Sequence, residues 1–237
     1  MNFKFNKMSD TITFLDDRYY TSETGQYWPR VTTILEAFPK GEGFYSWLKA
    51  NGGNADDILK NAGEVGTKVH KATQSYDQDI LLTWASEWYS KDEWALLCKY
   101  ADYCTFCNPE ILLSEKGMVS DYLEYGGTLD RVVKIDGLTI LLDWCQVAAY
   151  RMLLEMNESY KVDAVGILHL KAKTRKTAKN GNGWQGKGWT LEIRNDTTED
   201  FKIFQKTYDL WKYDNEDHQP GIKTFPSYLK KSNHVSN

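Results

Sequence analysis

Two aspartates of this sequence have the spacing and surroundings of metal ligands. Asp130 follows Gly127-Thr128-Leu129, and Asp143 directly follows the apolar run of residues 138–142. A carboxylate at the end of a buried strand loses its hydration, which is costly unless a charge compensates it. Two such carboxylates on neighbouring strands suit a hard divalent cation such as Mg²⁺ or Mn²⁺. The alternative is that Asp130 is a turn residue and Asp143 caps its strand.

Other polar residues accompany the aspartates in chain order. His70 lies on a predicted helix, four residues after Gly66. Glu115 ends a predicted strand before Asp130, and Gln146 and Tyr150 are spaced i, i+4 on one helical face directly after Asp143.

This ordered set resembles the RecB-like branch of the PD-(D/E)XK nuclease superfamily, which includes bacterial recombination nucleases, CRISPR-associated exonucleases and phage exonucleases. The branch has a Gly-x-x-x-His helix, a Gly-x-x-Asp strand, an Asp-x-Lys strand end and a Gln-x-x-x-Tyr helix. The matching residues lie between positions 60 and 175, and they are Gly66 with His70, Gly127 with Asp130, Asp143, and Gln146 with Tyr150.

The resemblance implies an α/β fold with a restriction-endonuclease-like core, in which helices flank a central mixed β-sheet. It implies four metal ligands, which are His70, Asp130, Asp143 and Glu115. It also implies four catalytic residues, which are Asp130, Asp143, Gln146 and Tyr150, the last two positioning the DNA backbone. The implied function is an Mg²⁺- or Mn²⁺-dependent deoxyribonuclease, an exonuclease hydrolysing phosphodiester bonds in replication, recombination or phage DNA processing.

The sequence departs from the family pattern directly after Asp143. The motif lysine would stand two residues later, where Cys145 lies, and only Trp144 and Cys145 separate Asp143 from Gln146. Loss of one group that stabilises transition-state charge typically costs on the order of a hundred- to a thousandfold in rate. The alternatives are therefore an active nuclease, a catalytically impaired relative that binds DNA ends or a protein partner, and a metal-free interaction protein.

A basic stretch between residues 171 and 187 is a candidate DNA contact. Its predicted DNA-binding residues are Lys171, Lys173, Arg175, Lys176 and Trp184. Cations interleaved with glycines and an aromatic ring could follow phosphates and stack a base. Lys171 and Lys173 are also candidate substitutes for the missing lysine, since alternate residues of a strand share one face. A solvated hairpin loop is the alternative.

The cysteines do not favour an iron–sulfur cluster. Nucleases of this branch that carry one place one cysteine before the core and three after it, whereas Cys98, Cys104 and Cys107 precede the core here and Cys145 lies within it. Cys104 and Cys107 are also explained as small buried residues on a helix.

Composition indicates a globular protein, since 41% of residues are hydrophobic and 14% are aromatic. The net charge of −4 implies that nucleic-acid binding depends on a local patch. Neither a secretory signal nor an apolar run of membrane-spanning length is present, so we expect a cytoplasmic protein of a bacterium or a phage-infected cell, without a membrane partner.

The periodicity of apolar residues predicts helices and strands, and the resemblance implies that they form one nuclease-like domain over residues 1–237. It has a helical part at about 30–108, a nuclease core at about 109–215 and a C-terminal tail at 216–237. The predicted helices include residues 80–105, 146–156 and a last helix after Asp196-Thr197-Thr198-Glu199, which resembles a capping box. The predicted strands are residues 111–115, 122–133, 138–144, 162–173 and 189–194, with Asp136-Gly137 as a hairpin turn.

Overall fold

Groups of strands and groups of helices follow one another along the chain in an α/β arrangement. The computed structural model describes residues 11–142, 147–157, 160–171, 183–216 and 220–226. The strands are β1 (Thr11–Leu15), β2 (Tyr19–Thr21), β3 (Tyr27–Pro29), β4 (Glu110–Ser120), β5 (Tyr125–Ile135), β6 (Leu138–Leu142), β7 (Ala164–His169), β8 (Gly183–Gly186), β9 (Trp189–Arg194) and β10 (Ile222–Pro226). The α-helices are α1 (Val31–Ile34), α2 (Glu42–Asn51), α3 (Ala55–Asp77), α4 (Lys91–Cys107), α5 (Val147–Asn157) and α6 (Thr198–Asp214).

A six-stranded mixed sheet forms the centre of the molecule, with the order β4-β5-β6-β7-β9-β8. All neighbouring strands are antiparallel except β6 and β7, which are parallel and are linked through α5. A parallel pair needs such a crossover, because its strands start at the same edge of the sheet. The predicted α/β class and central mixed sheet flanked by helices are therefore confirmed.

The hairpin between β5 and β6 forms at the predicted Asp-Gly turn. Asp136 and Gly137 both have positive φ values, 49° and 83°. Two consecutive positive φ values are typical of the type I′ turn, whose twist matches that of the flanking strands.

Both faces of the sheet are covered by apolar residues. On one face, α5 and α6 cover a cluster that includes Leu129, Val132 and Leu153. On the other, α4 covers a cluster around Val133 and Trp189. The predicted apolar stripe of α6 is confirmed, since three of its members, Phe204, Tyr208 and Trp211, are buried.

Several predicted boundaries are wrong. Residues 80–90 are not helical, and α4 begins at Lys91 because Ser90 and Glu93 form a capping box there. At α6 the capping residue is Thr197, and Asp196 accepts a hydrogen bond from the Thr198 backbone N–H instead. Strand β4 continues to Ser120, well past the predicted end at residue 115.

Strands β1, β2 and β3 were not predicted, and neither were two later strands. Strand β8 lies at the edge of the central sheet, within the stretch predicted as a basic loop. Strand β10 lies within the predicted C-terminal tail and pairs with β1, so this part of the tail joins the two ends of the described chain. None of the helices described here is both long and apolar enough to cross a membrane.

Candidate metal centre

Three candidate metal ligands converge from three different elements. His70 lies on α3, Glu115 on β4 and Asp130 on β5, and one ligand atom of each lies within 4.8 Å of the others. His70 Nε2 is in contact with Glu115 Oε1 and lies 3.9 Å from Asp130 Oδ1. The side chains are 31%, 31% and 47% exposed, so the group is open on one side.

The pairing of β4 and β5 places the two carboxylates next to each other. Ser114 pairs with Arg131 and Lys116 pairs with Leu129, so Glu115 lies across from Asp130. Glu115 has a φ of 51°, in the left-handed region that side chains other than glycine rarely adopt. Such a conformation costs on the order of 1–3 kcal/mol and recurs at functional sites.

Strand β5 breaks its alternation at Asp130. Neighbouring strand residues normally point to opposite faces. Here both Asp130 and Arg131 contact α3, Asp130 through His70 and Arg131 through Asp77. Leu129 and Val132, on either side, belong to the core on the opposite face. The break therefore directs two consecutive charged side chains to one helix.

A buried polar network fixes α3 against β5 next to the ligands. Arg131 Nε donates to Asp77 Oδ2 at 2.6 Å, and Arg131 Nη2 donates to Thr73 Oγ1 at 2.8 Å. The Thr73 hydroxyl in turn donates to the carbonyl of His70 at 2.8 Å. The network therefore ties the backbone of His70 to the residue after Asp130.

Tyr100 of α4 completes this network. Its hydroxyl donates to Asp77 Oδ1 at 2.6 Å. Burial raises the pKa of the Tyr100 hydroxyl, which therefore stays protonated and remains a donor. The side chains of Arg131 and Asp77 are 8% and 5% exposed, so their charges compensate each other away from water.

The electrostatics of the group favour an added positive charge. Burial raises the pKa of the Asp130 carboxyl above its ordinary value, with His70 opposing the shift and Glu115 adding to it. A carboxylate that is desolvated beside another carboxylate gains stability when a cation binds.

The donor set fits a divalent metal. One imidazole nitrogen and two carboxylates form an oxygen-rich set that suits Mg²⁺ or Mn²⁺, and its partial exposure leaves room for further ligands. Within the described ranges, no other group of three or more His, Cys, Asp or Glu side chains lies close enough to hold a metal.

Tyr150, a predicted catalytic residue, is buried on the other side of β5. A Cβ added to Gly127 would lie 2.1 Å from Tyr150 Cε1, so the ring occupies the space of the missing side chain. Gly127 and Tyr150, which both belong to the motif, therefore pack against each other. The predicted role of Tyr150 at the DNA backbone remains a prediction.

Several predicted site residues lie outside the described residues. They are Asp143, Gln146, Lys173, Arg175 and Lys176, together with Trp144 and Cys145. Strand β6 is described up to Leu142, which pairs with Arg131, the neighbour of Asp130.

Two residues of the predicted basic stretch are described. Strand β7 ends at His169, so Lys171 is exposed in a turn after the strand rather than within it. Its neighbour Leu170 packs against the cluster formed by α3 and α4, which includes Val69. Trp184 lies on edge strand β8 and is partly buried against the core around Trp189.

The described cysteines are thiols. Cys98, Cys104 and Cys107 form no disulfide, and all three lie on α4. Burial raises the pKa of Cys107 to about 11 and that of Cys104 to about 12, so both are protonated at neutral pH. The prediction that Cys107 is a buried helix residue is confirmed.

The network of Arg131, Asp77 and Thr73 was not predicted from the sequence. One signal was present, since Thr73 and Asp77 follow His70 by three and seven residues, which places all three on one side of a helix. The break in β5 gives no such signal.

Comparison with known proteins does not assign this chain to a family. No protein-family model matches it, and no curated protein matches it significantly.

Proposed function

We propose that this protein is an Mg²⁺- or Mn²⁺-dependent deoxyribonuclease with a restriction-endonuclease-like core, related to the RecB-like branch of the PD-(D/E)XK superfamily. The observation that carries the proposal is the convergence of His70, Glu115 and Asp130 at ligand distances from α3, β4 and β5. These residues lie far apart in sequence, and the resemblance implied all three as metal ligands.

The described residues include three side chains that would bind the metal ion. His70, Glu115 and Asp130 would hold the cation on one side, while their exposed side admits a phosphodiester. A bound divalent cation supplies Lewis acidity at the phosphodiester and lowers the pKa of water. The network of Arg131 and Asp77 keeps His70 and Asp130 in place. The site therefore does not need to rearrange when substrate binds.

The order of the elements also supports the proposal. The helix with His70 precedes the meander β4-β5-β6, and α5 with Tyr150 follows it before β7. The described motif residues His70, Asp130 and Tyr150 therefore lie on a helix, a strand and a helix, the order that the proposed family pattern has. DNA ends in a bacterial or phage-infected cytoplasm are the proposed substrate, and a recombination or replication protein is a proposed partner.

One observation favours a second function. Cys145 stands where the motif has its lysine. A chain that binds metal and DNA without this cation would be a catalytically impaired relative that binds DNA ends or a protein partner.

Degradation of end-labelled linear single- and double-stranded DNA with Mg²⁺ or Mn²⁺ separates these functions. The test compares wild type with Asp130→Ala and Asp143→Ala, and with Glu199→Ala as a control for an exposed surface carboxylate. We expect the wild type and Glu199→Ala to cleave, and both aspartate variants to lose cleavage.

Other results of this cleavage assay would contradict or change the proposal. Cleavage that survives Asp130→Ala contradicts the proposed metal centre. Metal binding without cleavage by folded wild type favours the impaired relative. If cleavage occurs, Lys171→Ala and Lys173→Ala then test whether either lysine replaces the motif cation, and unchanged rates for both exclude that role.

A further inference from the structure

The face of the sheet that carries Asp130 also carries a glycine-lined surface under Tyr20. Gly126 and Asp130 are four residues apart on β5, so they share one face. A Cβ added to Gly126 would lie 2.9 Å from carbons of the Tyr20 ring, and one added to Gly117 of β4 would lie 3.9 Å from Tyr20 Cε1. The distance at Gly117 is an ordinary contact, whereas Gly126 lets the ring lie close to the strand backbone because any side chain there would clash with it.

A hydrogen bond fixes this ring near the metal centre. The hydroxyls of Tyr20 and Thr128 are 2.6 Å apart. Thr128 precedes Asp130 by two residues on the same strand, which corresponds to about 6.8 Å along it. The ring is thus held beside the proposed ligands by a contact to their own strand.

The guanidinium of Arg30 lies on this ring and forms no hydrogen bond to another side chain among the described residues. Its guanidinium carbon is 5.0 Å from the centroid of Tyr20, and its backbone is bridged to Gly126. Its Nε is buried without a hydrogen-bond partner, and its side chain forms no ion pair with any residue in the described part of the chain. Stacking on Tyr20 holds the cation in place but satisfies none of its donors.

We propose that Arg30 binds a phosphate of the substrate strand, close to the bond that would be cleaved at the metal centre. This inference rests on the proposed function for the identity of the ligand. A planar guanidinium with free donors matches the oxygens of a phosphate diester.

The face thus has two parts with different chemistry. His70, Glu115 and Asp130 form an acidic part that needs a cation, and Arg30 forms a basic part that needs an anion. A polyanion with a bound divalent metal satisfies both. Arg30 is therefore a substrate-binding residue that fixes the position of the strand, while the acidic part holds the metal.

Oligonucleotide binding in EDTA tests Arg30 without any cleavage. The anisotropy of a fluorescein-labelled single-stranded oligonucleotide is measured over a range of salt concentrations for wild type, Arg30→Gln and Arg30→Lys. Loss of one charge-assisted contact should weaken binding about tenfold and reduce the slope of log K against log salt by about one. Arg30→Lys should keep the slope and lose part of the affinity, because it retains the charge but not the planar fork.

Arg18→Gln is the matched control. Arg18 lies on the same hairpin segment, but its side chain is exposed and already paired with Asp16 at 2.6 Å. It should bind the oligonucleotide like the wild type. Equal melting temperatures of the four proteins would show that the Arg30 effect does not come from misfolding.

A phosphate scan locates the contact. Single phosphates of the oligonucleotide are replaced by uncharged methylphosphonates. One replacement should weaken binding to wild type about tenfold and leave binding to Arg30→Gln unchanged. Equal sensitivity of both proteins at every position would overturn the inference.

The outcomes separate this inference from the proposed function. If the wild type cleaves DNA but Arg30→Gln binds with unchanged affinity and slope, Arg30 is not a phosphate ligand and the nuclease stands. If the wild type never cleaves but the Arg30 effect on binding persists, the phosphate site stands and the nuclease fails. Wild type that binds no oligonucleotide at low salt overturns the Arg30 site.

Discussion

Removal of the Asp77 carboxylate should destabilise the protein far more than removal of any surface carboxylate. In Asp77→Ala, Arg131 stays buried and loses its 2.6 Å bond, and the Tyr100 hydroxyl loses its acceptor. Breaking one side of a buried ion pair costs about 3–5 kcal/mol, because the remaining charge is neither paired nor hydrated. Domains are typically stable by about 5–15 kcal/mol, so about a fifth or more of the free energy of unfolding should be lost.

Urea unfolding followed by tryptophan fluorescence measures this loss. The matched control is Glu199→Ala, which breaks the exposed pair of Glu199 and Lys202, with side chains 80% and 56% exposed. That variant should lose less than about 1 kcal/mol. The double variant Asp77→Leu/Arg131→Met should recover much of the loss, since an apolar pair of similar volume removes the uncompensated charge.

The same variant tests the link between this network and the metal centre. Thr73 connects Arg131 to the carbonyl of His70, so loosening Arg131 should weaken Mn²⁺ binding in the protein that remains folded. Equal stability of Asp77→Ala and Glu199→Ala would refute the reasoning, and so would a double variant no more stable than Asp77→Ala.

Three further predictions concern the core, a helix cap and the metal centre. Gly127→Ala should lower the free energy of unfolding by about 1–3 kcal/mol, because the added methyl group clashes with Tyr150. Gly63→Ala should raise the free energy of unfolding by about 0.5–1 kcal/mol, because Gly63 lies within a helix with open space around it. Thermal melts compare the two variants. The hydrogen bond from the Ser90 backbone lowers the pKa of Glu93, so its charge stabilises the fold above the unfolded-state pKa. Wild type should therefore be more stable than Glu93→Gln at pH 7, and urea melts should show the difference disappearing as pH falls through the lowered value. Burial raises the pKa of Asp130, so Mn²⁺ affinity by calorimetry should decrease on acidification at a higher pH than for an ordinary aspartate, and Asp130→Asn should lose the share of this pH dependence that Asp130 contributes.

Much of the fold was predictable because the relevant signals are local. The Asp136-Gly137 turn, the apolar stripe of α6 and the high helix propensity of α5 each depend on residues close in sequence. The wrong boundary between residues 80 and 90 also has a local cause. Exposed tryptophans at 84 and 88 suggested a helix face, while the capping box of Ser90 and Glu93 sets the actual start at Lys91.

Three ligands of the candidate site were predictable from the sequence, but the backbone geometry that brings them together was not. His70, Glu115 and Asp130 were expected as ligands from the order of motifs. The left-handed φ of Glu115 and the break after Asp130 depend on pairing between distant strands, which a single sequence does not encode locally. Arg30 and Tyr20 were missed for the same reason, since only the folded chain places them over Gly126.

The break at Asp130 links the stability of the protein to the candidate metal centre. If β5 alternated regularly, Asp130 and Arg131 would point to opposite faces, and either the candidate metal centre would lose a ligand or Asp77 would lose its partner. Because both side chains instead contact α3, the helix that presents His70 is fixed by the residue next to a ligand. A substitution that restores regular alternation should therefore affect both properties together. Variants of β5 and α3 selected for metal binding should retain the pair of Arg131 and Asp77, and variants selected for stability alone should be free to replace that pair with apolar residues.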